Sequence, residues 1–315
     1  MTEPPVAPPD DLTIPREGST TAREVLSAYL RHQYRTLLTT PYEVLTGDPT
    51  TATAFRHMVR ELARSSPGAV FAALRQPTIG GLLRLIAVRA GARDELAAWS
   101  EELFAQFCFE MAVSGLGDAT LPLTRPCRRL IALSEGVALD LPANTRRLRF
   151  TAGSLVVDSG DGERTYDLAS REGLGTPFRA LLGGSKFALV DNNPRASMEA
   201  HPEKSGNDLD LGGHSADVWV ESLDAALAII DEHLPVLAPE MRLMLHQIVP
   251  VGYHAERHFS ASLMEVVGNI YMSLHPDVLT LAEAIVHEFS HNKINALWTL
   301  QPMLENTFEP LYPSP

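Results

Sequence analysis

The sequence predicts an α+β protein with a helical N-terminal region, a β-rich middle and a C-terminal unit built around one apolar helix carrying paired histidines. Three patterns support that expectation. Apolar residues recur at spacings of three and four from Thr21 to about Gly115. Between Leu130 and Asp191 the pattern changes to short runs broken by glycine- and aspartate-rich turns. Near the C-terminus two strand-like runs precede a capped helix. The chain accordingly divides into an arm over 1–20, a helical region over 21–125, a β-rich region over 126–220 and a metal-site region over 221–315.

The arm is rich in proline and poor in apolar residues, so it is expected to be disordered. Val25, Leu26, Tyr29, Leu30, Tyr34 and Leu37 form an amphipathic stripe, as do Phe55, Met58, Val59 and Leu62. Asp94 to Val113 reads as a long third helix. Leu148, Phe150 and Leu155-Val156-Val157 lead into Ser159-Gly160-Asp161-Gly162 and then Thr165 to Leu168, the pattern of a β-hairpin. Phe187 to Val190 adds a strand, and Asp191 to Gly213 reads as loop. Ala225 to Leu234 and Glu240 to Gln247 return to helical spacing, and no internal repeat interrupts this order.

A chain of 315 residues with 45% hydrophobic content can bury a large core. Its net charge of −13 argues against nucleic acid or an anionic membrane as the main partner, because binding phosphates needs a concentrated excess of Lys and Arg. No secretory signal is visible at the N-terminus and no run approaches 18 apolar residues. Two cysteines, Cys108 and Cys127, suit a reducing compartment better than a stapled secreted domain. The expectation is a cytoplasmic enzyme of open oligomeric state.

The chemistry concentrates at His287-Glu288-Phe289-Ser290-His291. In a helix, positions i and i+4 share a face, so both imidazoles can reach one metal ion without bending the backbone. Thr280 with Glu283 forms the pattern of a capping box ahead of the motif. Ala284, His287, His291, Asn295 and Trp298 continue one stripe, expected to line a pocket wall, with Glu288 at its edge. Lys293 lies about 200° around from His291 and is expected to face away. Two imidazoles leave a site open, and the chain offers no cysteine-rich set for a structural ion, so catalysis is favoured. For a third ligand, Glu305 and Glu309 downstream and His254 and His258 upstream are the candidates, none compelling.

Ile248 to Tyr253 and Asn269 to Leu274 read as strands, the second joined to the motif helix by His275-Pro276-Asp277. A strand leading by a short turn into a metal-binding helix resembles zinc peptidases of the zincin type, whose edge strand holds an extended peptide. The C-terminal unit is therefore expected to be zincin-like. In hydrolysis Glu288 would be the general base acting on metal-bound water. In oxygenation the metal needs open positions, Glu288 would support the ligands or be an unusual ligand itself, and a cation such as Arg257 would pair with the cosubstrate carboxylate.

A wider resemblance covers about residues 245–300. Ser260-Ala261-Ser262-Leu263, Asn269 to Ser273, and the run from Leu281 through His287, Glu288, His291, Lys293 and Asn295 to Leu297 resemble the HExxH-motif proteins of bacterial peptide natural-product clusters. Those proteins are iron- and 2-oxoglutarate-dependent peptide β-hydroxylases. The resemblance implies that His287 and His291 bind Fe(II) and that the substrate is a ribosomally made precursor peptide hydroxylated at a side-chain β-carbon; by their positions in the sequence, Arg257 and Asn295 are the candidates to contact 2-oxoglutarate. Members of that family continue past the motif with another helical segment, whereas this sequence ends at Pro315. Two alternatives therefore stand beside the hydroxylase: a zinc-dependent peptidase, and a catalytically inactive peptide-binding remnant with an incomplete site.

Overall fold

The computed structural model describes residues 11, 14–88, 91–190 and 209–300. Residues 1–10, 12 and 13 of the expected arm, residues 191–208 of the expected loop, and the candidate ligands Glu305 and Glu309 lie outside them. The architecture is mixed α+β, in the order that the hydrophobic periods predict.

The helical part consists of α1 (Thr21–Thr39), α2 (Tyr42–Thr46), α3 (Pro49–Ser65), α4 (Pro67–Leu74), α5 (Pro77–Ala87) and α6 (Arg93–Val113). Local chemistry punctuates them. Gly47 closes α2 with φ +72°, and the Asp48 carboxylate caps α3 by accepting from the Thr51 N–H at 3.0 Å. Proline stands in the first turn of α3, α4 and α5, where its missing N–H costs nothing. From Leu103 to Ala112 α6 is buried on all sides, so it forms the axis of the N-terminal half. Its aromatic residues dominate the packing, with Phe55 stacked on Phe104 at 4.1 Å and Tyr42 against the edge of Phe104 at 4.9 Å. Cys108 and Cys127 are both buried free thiols, and burial pushes the Cys127 thiol up to about 12, which leaves it inert.

The helical run ends at Val113, where the apolar period predicts, and strands begin with β1 (Ala119–Pro122). Then follow β2 (Arg129–Ala132), β3 (Val137–Asp140), β4 (Thr145–Thr151), β5 (Ser154–Ser159) and β6 (Gly162–Asp167). β1, β4, β5 and β6 form one antiparallel sheet in that order, and β2 pairs with β3 in a separate hairpin. The expected hairpin is β5–β6, closed between Ser159 and Gly162. Gln106 joins helix to hairpin, since its amide donates to the Arg129 carbonyl at 2.7 Å and its oxygen accepts from the Ile131 N–H at 2.9 Å.

The second sheet positions the motif. β7 (Phe178–Ala180) and β8 (Lys186–Ala188) precede α7 (Ala216–His233) and α8 (Ala238–Met244). β9 (Gln247–Tyr253), β10 (Ser260–Ala261) and β11 (Asn269–Leu274) then lead into α9 (Val278–Leu300). The strand order is β10-β11-β9-β8-β7, with β9 parallel to both β8 and β11. β9 and β11 are central and read as near-continuous apolar runs because both faces are covered. β11, which leads into the motif helix, is interior, and the sheet edge beside it is the two-residue β10, formed within a stretch read as loop. α9 lies over this sheet and packs against α1, α7 and α8. No helix among the described residues is long and apolar enough to cross a membrane.

Candidate metal centre

α9 starts at Val278 and not at Thr280. Asp277 caps it, its carboxylate accepting from the Leu279 N–H at 3.0 Å and from the Thr280 hydroxyl at 3.3 Å, so the expected Thr280–Glu283 capping box gives way to an aspartate three residues earlier. Leu281, Ile285, Phe289 and Ala296 are buried in the core. His287 and His291 fall on the opposite, exposed face.

The two imidazoles converge. Their ring centroids are 4.7 Å apart and their Nε2 atoms 3.0 Å apart. Two nitrogens each about 2.1 Å from one ion and 3.0 Å from each other subtend about 90° at it, close to the angle between neighbouring octahedral ligands. The pair therefore fits a shared divalent cation. No third His, Cys, Asp or Glu completes a metal-binding group with them among the described residues.

Glu288, expected at the edge of the imidazole stripe, lies on the buried side and is 3% exposed. Its Oε1 accepts from the Ser260 hydroxyl on β10 at 2.7 Å, and its Oε2 is buried without a hydrogen-bond partner. Its backbone carbonyl accepts from the Ser262 hydroxyl at 3.0 Å. Asn292, one turn further on, ties the helix to the sheet. Its Oδ1 accepts from the Gly268 N–H at 2.6 Å, and its amide donates to the Ser262 hydroxyl and the Glu288 carbonyl at 3.0 Å and to the Asn269 carbonyl at 3.3 Å. Lys293 faces away from the imidazoles as expected, but it points into the core, where its ammonium donates to Glu240 on α8 at 2.6 Å.

The other sequence candidates are placed less tightly. Asn295 is half-buried one turn beyond His291 on the same face, and Arg257 is exposed in the loop that leads into β10. In that loop the His254 ring meets Phe259 edge-on at 4.6 Å. His258 Nε2 donates to the Ser273 carbonyl at 3.0 Å, and burial holds its pKa down to about 4, so the ring is neutral near pH 7. Neither histidine forms a metal group with the pair. Ser260 and Ser262 entered the sequence reading only within the resemblance and with no role, and Gly268, Asn292 and Glu240 escaped it. The spacing of Glu288 and Asn292 was available as a signal, since i and i+4 put them on one face together. The Glu240 partnership had none, because 53 residues separate it from Lys293.

Gly268 makes the network possible. Its φ is +95°, and a Cβ there would lie 2.3 Å from His246 Cδ2 and 2.9 Å from the Met244 carbonyl. Gly268→Ala should therefore destabilise the protein by at least about 2 kcal/mol, combining left-handed strain with overpacking. Urea unfolding checks this, and a loss under about 0.5 kcal/mol would contradict the tight approach of this turn to Met244 and His246.

No protein-family model matches the chain, and no curated protein matches it.

Proposed function

We propose that the protein modifies a peptide at a divalent metal held by His287 and His291. The fuller reading is Fe(II)- and 2-oxoglutarate-dependent β-hydroxylation of a ribosomally made precursor peptide in the cytoplasm. The single observation that carries it is the pair of Nε2 atoms, 3.0 Å apart on the accessible face of α9, with the neighbouring carboxylate turned inward. In this reaction a peptide C–H, O₂ and 2-oxoglutarate become a peptide C–OH, succinate and CO₂. Iron with its oxoacid, when bound, supplies the oxidising power for the C–H bond.

The chain's own residues have the remaining tasks. His287 and His291 would offer Nε2 to the ion and leave its outer positions open. Arg257 and Asn295 are the polar groups to which a dicarboxylate cosubstrate is assigned. Among the described residues β10 pairs with β11 on one side only, so an extended peptide can add to its other edge beside α9. Glu288, bonded to Ser260 of that edge, would hold α9 and β10 in register.

The position of Glu288 also favours hydroxylation over zinc-dependent peptide cleavage. A general base must touch the metal-bound water. Glu288 is 3% exposed and already accepts from Ser260. The test is anaerobic loading with Fe(II), addition of 2-oxoglutarate, air and a synthetic mixture of decapeptides, and mass spectrometry. Succinate together with a peptide heavier by one oxygen atom is expected. Cleaved peptides formed with Zn and lost in Glu288→Gln would replace this reading with the peptidase.

A further inference from the structure

The proposed chemistry sits at the β10 edge of the five-stranded sheet, and a second concave surface borders the other edge. A groove of about 440 Å³ runs between β3, β6 and the residues flanking β7 and β8. Two other clefts, beside α7–α8 and beside α2–α3, measure only about 20 and 40 Å³. Of the two strand walls β6 has the open edge: among the described residues it pairs only with β5, whereas β3 pairs with β2 and its other edge is bridged at Ala138 to Gly175. Edges of this kind carry unused backbone donors and acceptors and are the natural acceptors of an added strand. The facing wall is bare backbone at Gly173 and Gly175, both exposed, so side chains do not fill the space.

The charge of the lining selects the occupant. Among the described lining residues the charged side chains are Arg129, Asp140 and Arg164. Arg129 is paired with Asp140 at 2.5 Å and contributes no net field. The Arg164 guanidinium lies 5.5 Å from the centroid of the Tyr166 ring and makes no ion pair among the described residues. On a chain of net charge −13, the described lining of this groove therefore carries one net positive charge, at Arg164. A guanidinium on an aromatic ring is oriented to receive a carboxylate.

We infer that the groove between β3 and β6 docks an extended acidic peptide segment, added to the free edge of β6 with a carboxylate on Arg164. That this segment belongs to the substrate rests on the proposed function, but the docking itself does not. β7, which borders the groove, lies four strand spacings from β10, roughly 19 Å, so one chain reaching from the groove to the β10 edge needs more than about six extended residues. The peptide would thus be held at a site remote from the one where it is modified.

The test uses metal-free protein and two fluorescein-labelled octapeptides, alternating Asp-Val and alternating Lys-Val, followed by anisotropy and by amide hydrogen exchange. The acidic peptide should bind, and the basic one should not. Exchange should slow over residues 162–167, and Arg164→Glu should weaken binding about tenfold while His287→Ala leaves it unchanged. Arg164 is an exposed strand residue, so its replacement leaves the fold intact. Equal binding of both peptides, no binding of either, protection on β10 and not β6, or indifference to Arg164→Glu would each overturn the inference. Full displacement by equimolar glutarate would also overturn it, in favour of a small-anion site. Because no metal is present, failure here leaves the hydroxylation assay untouched, and failure of that assay leaves this one untouched.

Discussion

Replacing His287 or His291 with alanine should abolish tight binding of a divalent metal and leave the fold unchanged. Both rings are exposed, and neither supports the core, so the cost to stability should stay within about 0.5 kcal/mol. The effect on metal affinity should be large. Removing even a residue that merely supports a ligand typically costs 10- to 100-fold, and here one of two converging nitrogens is lost outright, so at least about 100-fold is expected. Anaerobic Fe(II) titration alongside urea unfolding separates the two effects. If either variant binds Fe(II) as tightly as the wild type, the 3.0 Å approach of the two Nε2 atoms is an imidazole–imidazole hydrogen bond and not a metal cradle. The proposed chemistry would go with it. Glu288→Gln is the informative control, because its carboxylate faces Ser260. It should keep most of the metal affinity.

The second large effect is on stability. Lys293→Met should cost about 3–5 kcal/mol, the range for stripping one partner from a buried ion pair. Lys293 and Glu240 side chains are 3% and 8% exposed, and Glu240 Oε1 is already buried without a hydrogen bond. Losing the ammonium would leave an unpaired carboxylate between α8 and α9. The double variant Lys293→Met with Glu240→Met should recover most of the loss, since replacing both charges by apolar side chains of similar volume removes the desolvation penalty with them. Urea unfolding of the single and double variants closes the cycle. A single variant within 1 kcal/mol of the wild type, or a double variant no better than the single, would show that the pair is not charged and buried as described.

Much of the architecture was legible because it depends on period. The stripe from Val25 to Leu37 became α1, the alternation around Ser159 to Gly162 became the β5–β6 hairpin, and Asn269 to Leu274 became β11. Boundaries were less legible. β10 is two residues long and could not be told from loop, although its Ser260 touches Glu288. Asp277 displaced the expected cap because a side chain ahead of the first turn competes with one inside it, and only the backbone geometry decides between them.

The sequence alone determined that His287 and His291 share one face of one helix, since a spacing of four in a 3.6-residue turn allows nothing else. Which way that face points was a tertiary decision. Asn292 finds Gly268 and Asn269, Lys293 finds Glu240, and Glu288 finds Ser260, all partners distant in sequence. Buried polar groups must be paired, so these contacts set the rotation of α9 on its sheet, turn the carboxylate inward and leave the imidazoles facing out.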